Sequence, residues 1–182
     1  LGDRVFRVQT LPVGEAPIRR VMAVSREVTE SRTHEQQLTA LHDVADDLAS
    51  SESIEAICER TIRASEEVLD FDLSLISLER DGWLEPVAIS EEIPPNGVTR
   101  MAVEEGVAGR TYRTGESYLI SEASTHEFAN PQGPYESGIS IALGDHGNFQ
   151  AVAEERDAFD ESDLELAELL VSHTESALDR LE

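Results

Sequence analysis

The sequence predicts an α+β protein in which helices flank a central antiparallel sheet of roughly five or six strands. Three observations lead to this class. Apolar residues recur at helical spacing on both sides of the middle of the chain. Between these helical segments lie short alternating runs that glycine and proline turns separate. The length of 182 residues and the hydrophobic content of 40% suit one ordinary domain plus a fragment.

The first 32 residues contain two strand-like runs. Residues 5–13 alternate apolar and polar side chains and then break at Pro12 and Gly14. Residues 18–28 are rich in valine and arginine, and residues 14–17 would join the two runs as an antiparallel hairpin. Because a two-stranded hairpin is marginal alone, we expect this one to be the remainder of a larger sheet.

A helical pattern begins at Thr33, where Leu38, Leu41, Ala45 and Leu48 follow one another at three-four spacing. This spacing is compatible with a coiled-coil seam against a second copy. It is equally compatible with a helix that packs its apolar stripe on its own domain.

A second helix is predicted over residues 54–69. Ser53 can cap its N-terminus, and Glu55 lies in its first turn, where a negative charge is favourable. Cys58 falls on its apolar stripe together with Ile57 and Ile62. We therefore expect Cys58 to be a small buried hydrophobic residue.

The middle of the chain supplies the sheet. The turn at residues 81–82 joins two of its strands, and the turn at residues 144–147 joins two others. The predicted strands are residues 72–79, 83–89, 98–103, 117–121, 139–143 and 149–153, with a helical turn at 106–114 and a polar loop at 122–137. The last helix begins after Phe159 with Asp160 as its N-cap, and its apolar residues again keep three-four spacing.

The charge of the chain is unusual. Acidic residues outnumber basic ones 38 to 14, which gives a net charge of −24, and every basic residue is an arginine. Such a chain repels itself in dilute buffer, whereas molar salt shortens the screening length to about 3 Å. We therefore expect a salt-rich cytoplasm. The absence of a basic patch argues against nucleic acid as a partner.

The apolar runs are far shorter than the roughly 20 residues that a membrane helix needs, and the first residues do not resemble a signal peptide. A membrane location is therefore not expected. The single cysteine, Cys58, excludes an internal disulfide and any zinc site built from several cysteines, which suits a reducing interior.

Three separated segments resemble GAF domains and occur in the order that this family shows. Residues 106–116 match the glycine-bounded helical turn that leads through Thr-Gly-Glu into a strand, and residues 138–143 and 158–164 match the family's ending. The resemblance covers residues 33–182. It implies an antiparallel sheet with the terminal helices packed on one face and a loop-covered ligand pocket on the other. Family members bind cyclic nucleotides, haem, bilins, iron or small metabolites, or serve only as relay modules with a filled pocket.

Residues 24–32 resemble the end of a PAS domain, with Glu27 where many members carry aspartate. The predicted organisation is therefore a PAS hairpin over residues 1–32, a linker helix over 33–52 and a GAF domain over 53–182. PAS followed by GAF in an acidic chain resembles archaeal halophile sensor histidine kinases and regulators of the bacterio-opsin-activator type. Either resemblance implies a covalently linked output domain.

The pocket that the family resemblance implies would be lined by aromatic residues and by an arginine able to meet an anion. These side chains could equally be core packing or surface ion pairs. The candidates are Arg110, Tyr112, Tyr118, His126, Phe128 and Tyr135. No cofactor is specified by the sequence, and no metal site or catalytic residue is predicted.

Known chemistries of the family lack their residues here. Bilin attachment needs a cysteine at the pocket, and the cyclic-nucleotide motif needs a lysine, which this chain does not contain. His34 and His42 lack the following residues that a phosphoacceptor histidine has, and free methionine sulfoxide reductases use several cysteines. We therefore predict a non-catalytic module that senses a small molecule or transmits a signal, and that forms a parallel homodimer through its terminal helices. The alternative is a purely structural dimerisation unit without ligand.

Overall fold

The computed structural model describes residues 6–13, 20–27, 29–93, 98–131 and 133–181, with side chains from residue 33 onward. Two compact units are present, residues 1–39 and residues 40–182. In the first unit, strand β1 (Phe6–Val13) pairs antiparallel with β2 (Arg20–Glu27). The predicted pairing of these two runs is thus present, while the predicted turn at residues 14–17 lies outside the described residues.

Helix α1 spans Thr29–Ala49 and begins before the predicted start at Thr33. Helix α2 spans Ile54–Glu67, and the hydroxyl of Ser53 accepts a hydrogen bond from the Ala56 amide, as expected for its N-cap. This helix ends two positions before the predicted Leu69, where Val68 caps its last turn.

The second unit contains a six-stranded antiparallel sheet, which confirms the predicted fold class. Its strands follow the spatial order β5-β4-β3-β8-β7-β6. The strands are β3 (Leu73–Arg80), β4 (Trp83–Ile89), β5 (Met101–Ala102), β6 (Tyr118–Ile120), β7 (Ser137–Leu143) and β8 (Gly147–Ala153). Strand β5 is shorter than the predicted run over 98–103, since it pairs only with Trp83 and Leu84 at the sheet edge.

Helix α3 (Gly106–Thr114) matches its prediction residue for residue. Gly115 ends it at a φ of 69°, a conformation that glycine adopts without steric cost. Gly109 lets the helix approach the preceding chain closely, because a Cβ there would lie 2.5 Å from the carbonyl oxygen of Val103. The glycine spacing of this segment therefore has a direct packing cause.

Helix α4 (Glu161–Asp179) begins with the predicted cap. The Asp160 carboxylate accepts hydrogen bonds from the amides of Ser162 and Asp163, and the Asp163 carboxylate accepts one from the Asp160 amide. This reciprocal capping box satisfies amides that the first turn would otherwise leave unpaired.

The two faces of the sheet have different partners. Ser74 of β3 lies 2.6 Å, hydroxyl to hydroxyl, from Ser65 of α2, so its face carries the helices. Helices α2 and α4 pack on each other there, and the hydroxyls of Thr61 and Thr174 lie 2.8 Å apart at their contact. Leu75, the next residue of β3, points to the opposite face, which α3 and the following segment cover.

The apolar stripes of the helices are already buried within the second unit. Leu41 and Leu48 of α1 are 0% exposed, and Ala167, Val171 and Leu178 of α4 are at most 2% exposed. Packing within the chain therefore accounts for these residues, whereas Leu38 and Ala45 of the same α1 stripe are only half-buried, and association with a second copy stays a prediction. Within the described residues, none of the helices is both long enough and apolar enough to span a membrane.

Candidate functional site

A cavity of about 110 Å³ lies between the sheet and α3. Strand register builds its floor, since Leu75 pairs with Gln150, and Gln150 pairs with Ser140 on the same face. Val107 and Ala108 of α3 form one wall. The segments at 98–101 and 123–131, together with Tyr135, contribute the remaining sides.

The lining of this cavity is apolar with neutral polar groups. Leu75, Leu84 and Ile120 contribute apolar surface, while Ser77 and Gln150 contribute a hydroxyl and an amide. Among the described residues that line it, none carries an ionisable carboxylate, guanidinium or imidazole. The site can therefore hold an apolar body and meet one or two hydrogen-bonding groups.

A layer of buried polar side chains lies between the floor and α3. The hydroxyls of Thr111 and Ser140 are 2.8 Å apart and both residues are at most 1% exposed. Asn148 pairs with Ser77 in the register and is 0% exposed, and neither its amide nitrogen nor its oxygen has a hydrogen-bond partner among the described residues. An unpaired buried amide costs free energy. Asn148 therefore indicates that this face of the sheet serves to form hydrogen bonds with a polar partner.

A second cavity of about 460 Å³ adjoins the first, since Tyr135 and Val152 line both. Acidic side chains surround this second cavity, which we call the acidic vestibule. Its carboxylates are Asp70, Asp72, Glu92, Glu154 and Glu155. Their combined field lowers the local concentration of anions beside the smaller cavity.

Of the six predicted pocket residues, Tyr135 lines the cavity. Four others form a separate cluster, which we call the latch and define as Arg110, Tyr118, His126 and Phe128. The Arg110 Nε donates to the Tyr118 hydroxyl at 2.7 Å, and the guanidinium carbon lies 4.2 Å from the centroid of the Phe128 ring. The rings of Tyr118 and His126 meet edge to face at 6.3 Å, as do those of His126 and Phe128 at 6.0 Å.

The latch joins three pieces of the fold: helix α3, strand β6 and the segment that follows β6. Ala123, Ala129 and Asn130 of that same segment line the cavity. The latch therefore holds a wall of the cavity in place, while the Arg110 charge is satisfied by the Tyr118 hydroxyl and the aromatic face of Phe128.

Tyr112 lies on another side of α3, where its hydroxyl donates to the carbonyl of Asp145 at 3.4 Å. Burial raises the pKa of Tyr112, and the carboxylates of Glu79 and Asp145 raise it further. Arg113 donates to the carbonyl of Val103. Neither side chain is among the described residues that line the cavity.

Cys58 is 0% exposed on α2, on the helical face of the sheet. Burial raises the pKa of its thiol to about 12, and the carboxylates of Glu55 and Glu59 add to the shift. The expected burial of Cys58 is thus confirmed. In the part of the chain that the structure describes, there is no group of three or more histidine, cysteine or acidic side chains arranged to hold a metal ion.

Apart from Tyr135, the residues that line the cavity were not predicted, because they are neutral and belong to no motif. One feature of the sequence could have indicated these residues, namely polar residues at alternating positions in otherwise buried strands. Ser77, Ser140, Asn148 and Gln150 all point from the sheet toward α3.

A curled antiparallel sheet with helices on one face and a cavity under α3 on the other defines the class of small sensory domains with the GAF fold. The family model described as a GAF domain matches residues 51–179, and the chain therefore belongs to the GAF family. Members of this family are sensory and regulatory modules of signalling proteins. A search of curated proteins found no match.

Several solved structures share the fold. Free methionine-R-sulfoxide reductase from Neisseria meningitidis, in complex with its substrate, has a TM-score of 0.73 at 17% identity, covering 81% of this chain and 91% of that one. The GAF domain of a phosphoenolpyruvate-protein phosphotransferase from Coxiella burnetii has a TM-score of 0.69 at 15% identity, covering 81% and 95%. The A. aeolicus nlh2 GAF domain in an inactive state has a TM-score of 0.68 at 11% identity, covering 83% and 100%.

Proposed function

We propose that this chain is a non-catalytic sensory module whose cavity binds a small molecule and whose helices pass the signal to a covalently linked output domain. The single observation that carries the proposal is the cavity of about 110 Å³, built from neutral side chains, on the sheet face opposite the packed helices.

The central strands offer a route for the signal, because they contact both the cavity and the helices. In β3, Leu75 lines the cavity while the adjacent Ser74 bonds to Ser65 of α2. In β7, Ser140 lines the cavity while the strand also packs on α4. A ligand that shifts these strands would change the packing of α2 on α4.

A methionine sulfoxide reductase is the second candidate, since such an enzyme is among the structural neighbours. Disulfide exchange requires an accessible thiolate and a second cysteine. Here the single cysteine is buried, its pKa is raised to about 12, and α2 carries it on the face away from the cavity. These features favour the sensory function over the reductase.

The proposal also covers the neighbouring domain, the cellular environment and the oligomeric state. The antiparallel pairing of β1 with β2 and the acidic composition favour a PAS–GAF sensor of a salt-adapted cytoplasm, either a histidine kinase or a bacterio-opsin-activator type of regulator. A homodimer would have to use the exposed helix faces, which carry Asp43, Asp46, Glu165 and Glu168. We therefore expect association in molar salt and dissociation in dilute buffer, which light scattering would measure.

The test of ligand binding uses a cavity-filling variant. Ala108→Leu adds a side chain into the cavity, and Ala49→Leu makes the same change at an exposed position of α1. All three proteins are purified from the cells that naturally make the chain, and the small molecules released on denaturation are identified by mass spectrometry. We expect a compound enriched in the parent and the control but depleted in Ala108→Leu. Identical profiles for the three would contradict the proposal.

A further inference from the structure

We propose that the ligand of this cavity is a compact, uncharged organic molecule with an apolar body and one carboxamide-like or carbonyl group, and that the site rejects anions and zwitterions. This inference rests on the proposed function and adds the chemical class of the ligand.

Among the described residues that line the cavity, no charged side chain could meet a charged ligand. The described lining residues are apolar or neutral, and transfer of an unpaired ion into such a site is strongly unfavourable. Arg110, the arginine of the latch, is engaged by Tyr118 and Phe128. A carboxylate, phosphate or ammonium group would therefore enter the cavity without a counter-ion.

The floor of the cavity is polar. The Ser77 hydroxyl and the Gln150 amide line the cavity on neighbouring strands, where Gln150 pairs with Leu75 and Ser77 lies two residues further along β3 on the same face. A primary amide both donates and accepts, so it can exchange hydrogen bonds with a carboxamide or meet a carbonyl oxygen. Asn148 lies beside Ser77 and has no hydrogen-bond partner within the part of the chain that the structure describes, so this end of the face is the polar one.

The size of the cavity also limits the ligand. An apolar cavity of ~150 Å³ in another protein accepts benzene. A cavity of about 110 Å³ therefore suits a molecule of about the size of benzene, and it is far smaller than a nucleotide or a haem requires.

The acidic vestibule also disfavours anions. Tyr135 and Val152 separate the cavity from five carboxylates, so an anion that approaches from this side is repelled before it reaches the cavity. In molar salt this repulsion is screened to about 3 Å, whereas the cost of desolvating a charge inside the cavity remains. The two contributions can therefore be separated by salt.

The test compares butyramide with butyrate, which have the same shape and differ in charge, and uses benzene as an apolar probe. Each is titrated into the isotope-labelled chain in molar potassium chloride, and the amide shifts of Ala108, Ser140 and Gln150 are followed by NMR. We expect saturable shifts with butyramide and an affinity for butyrate that is weaker by about tenfold or more. Lowering the salt should weaken butyrate further and leave butyramide unchanged.

A matched pair of variants tests the hydrogen bond. Gln150→Leu removes the amide from the floor, while Gln36→Leu makes the same change at an exposed position of α1. We expect Gln150→Leu to weaken butyramide by about fivefold or more while benzene still binds, and Gln36→Leu to change neither.

The outcomes separate the two proposals. Equal affinities for butyrate and butyramide, or a butyramide affinity that Gln150→Leu leaves unchanged, would overturn the neutral-ligand inference while the cavity remains a ligand site. If none of the probes, including benzene, shifts the three amides, both the inference and the proposed function are wrong.

Discussion

The guanidinium carbon of Arg110 lies 4.2 Å from the centroid of the Phe128 ring, which connects helix α3 to the segment that walls the cavity. A cation over an aromatic face contributes ~0.5–2 kcal/mol, and the hydrogen bond to Tyr118 contributes ~1 kcal/mol. The latch should therefore control how often this wall opens.

We expect Arg110→Ala to speed hydrogen exchange across residues 123–131 by about tenfold, because roughly 1.4 kcal/mol of local stability corresponds to that factor. Exchange in α2 and α4 should stay as in the parent. Mass spectrometry of deuterated peptides measures both, with Arg63→Ala at an exposed position of α2 as the control. Unchanged exchange over 123–131 would show that the latch does not hold the wall.

The stability of the fold should depend on salt. Ion pairs such as Arg156 with Glu122 at 2.8 Å neutralise only part of the charge, since acidic residues outnumber basic ones 38 to 14. At about 0.1 M salt the charges interact over ~10 Å, whereas molar salt reduces this distance to ~3 Å. We therefore expect the melting temperature to rise steadily with potassium chloride. A melting temperature that is the same across this range would contradict the prediction.

The thiol of Cys58 should be inert in the folded protein. A pKa of about 12 keeps it protonated at neutral pH, and it is 0% exposed. We expect a disulfide reagent to label it only after unfolding, and Cys58→Ala to lower the free energy of unfolding by about 1 kcal/mol through the lost packing. Labelling of the native protein as fast as that of a free thiol would show that Cys58 is accessible.

His173 of α4 should make stability fall on mild acidification. Burial lowers its pKa from the usual 6.5, His42 lowers it further, and its Nε2 is buried without a hydrogen-bond partner among the described residues. The unfolded chain thus binds the proton at a higher pH than the native one, so this contribution is complete above about pH 6.5 and is lost as the pH falls.

We expect NMR titration to give His173 a pKa below 6.5, and His42→Gln to raise it because a neighbouring positive charge is removed. On acidification to about pH 5.5, the free energy of unfolding measured with denaturant should fall less for His173→Gln than for the parent. A His173 pKa at or above 6.5 would contradict this account.

The sequence correctly predicted the helix ends that depend on residues close together in the chain. Helix α3 begins and ends as expected because its glycines act within a few residues, and the Asp160 cap depends only on the first turn of α4. Strand β5 was predicted too long, since the extent of an edge strand depends on which residues of β4 it meets. Whether the apolar stripe through Leu41 packs within one chain depends on tertiary contacts, which the spacing does not specify.

The candidate site was harder to predict for the same reason. Arg110 and Phe128 were predicted to line the pocket because aromatic and charged side chains often bind ligands. In the structure they form the latch, outside the cavity. Ser140 and Gln150 line the cavity because the register of β7 and β8 places them side by side. Register arises from long-range pairing, so neither residue carries a recognisable motif.

The central claim, that an apolar cavity under α3 is open to small neutral molecules, is tested most directly by methyl NMR under xenon pressure. Xenon enters dry apolar cavities and shifts the methyl groups that line them. We expect saturable shifts for Val107 and Ile120, which line the cavity, and the loss of these shifts in Ala108→Leu but not in Ala49→Leu. Lining methyl groups that do not respond to xenon, or that respond equally in Ala108→Leu, would contradict the claim.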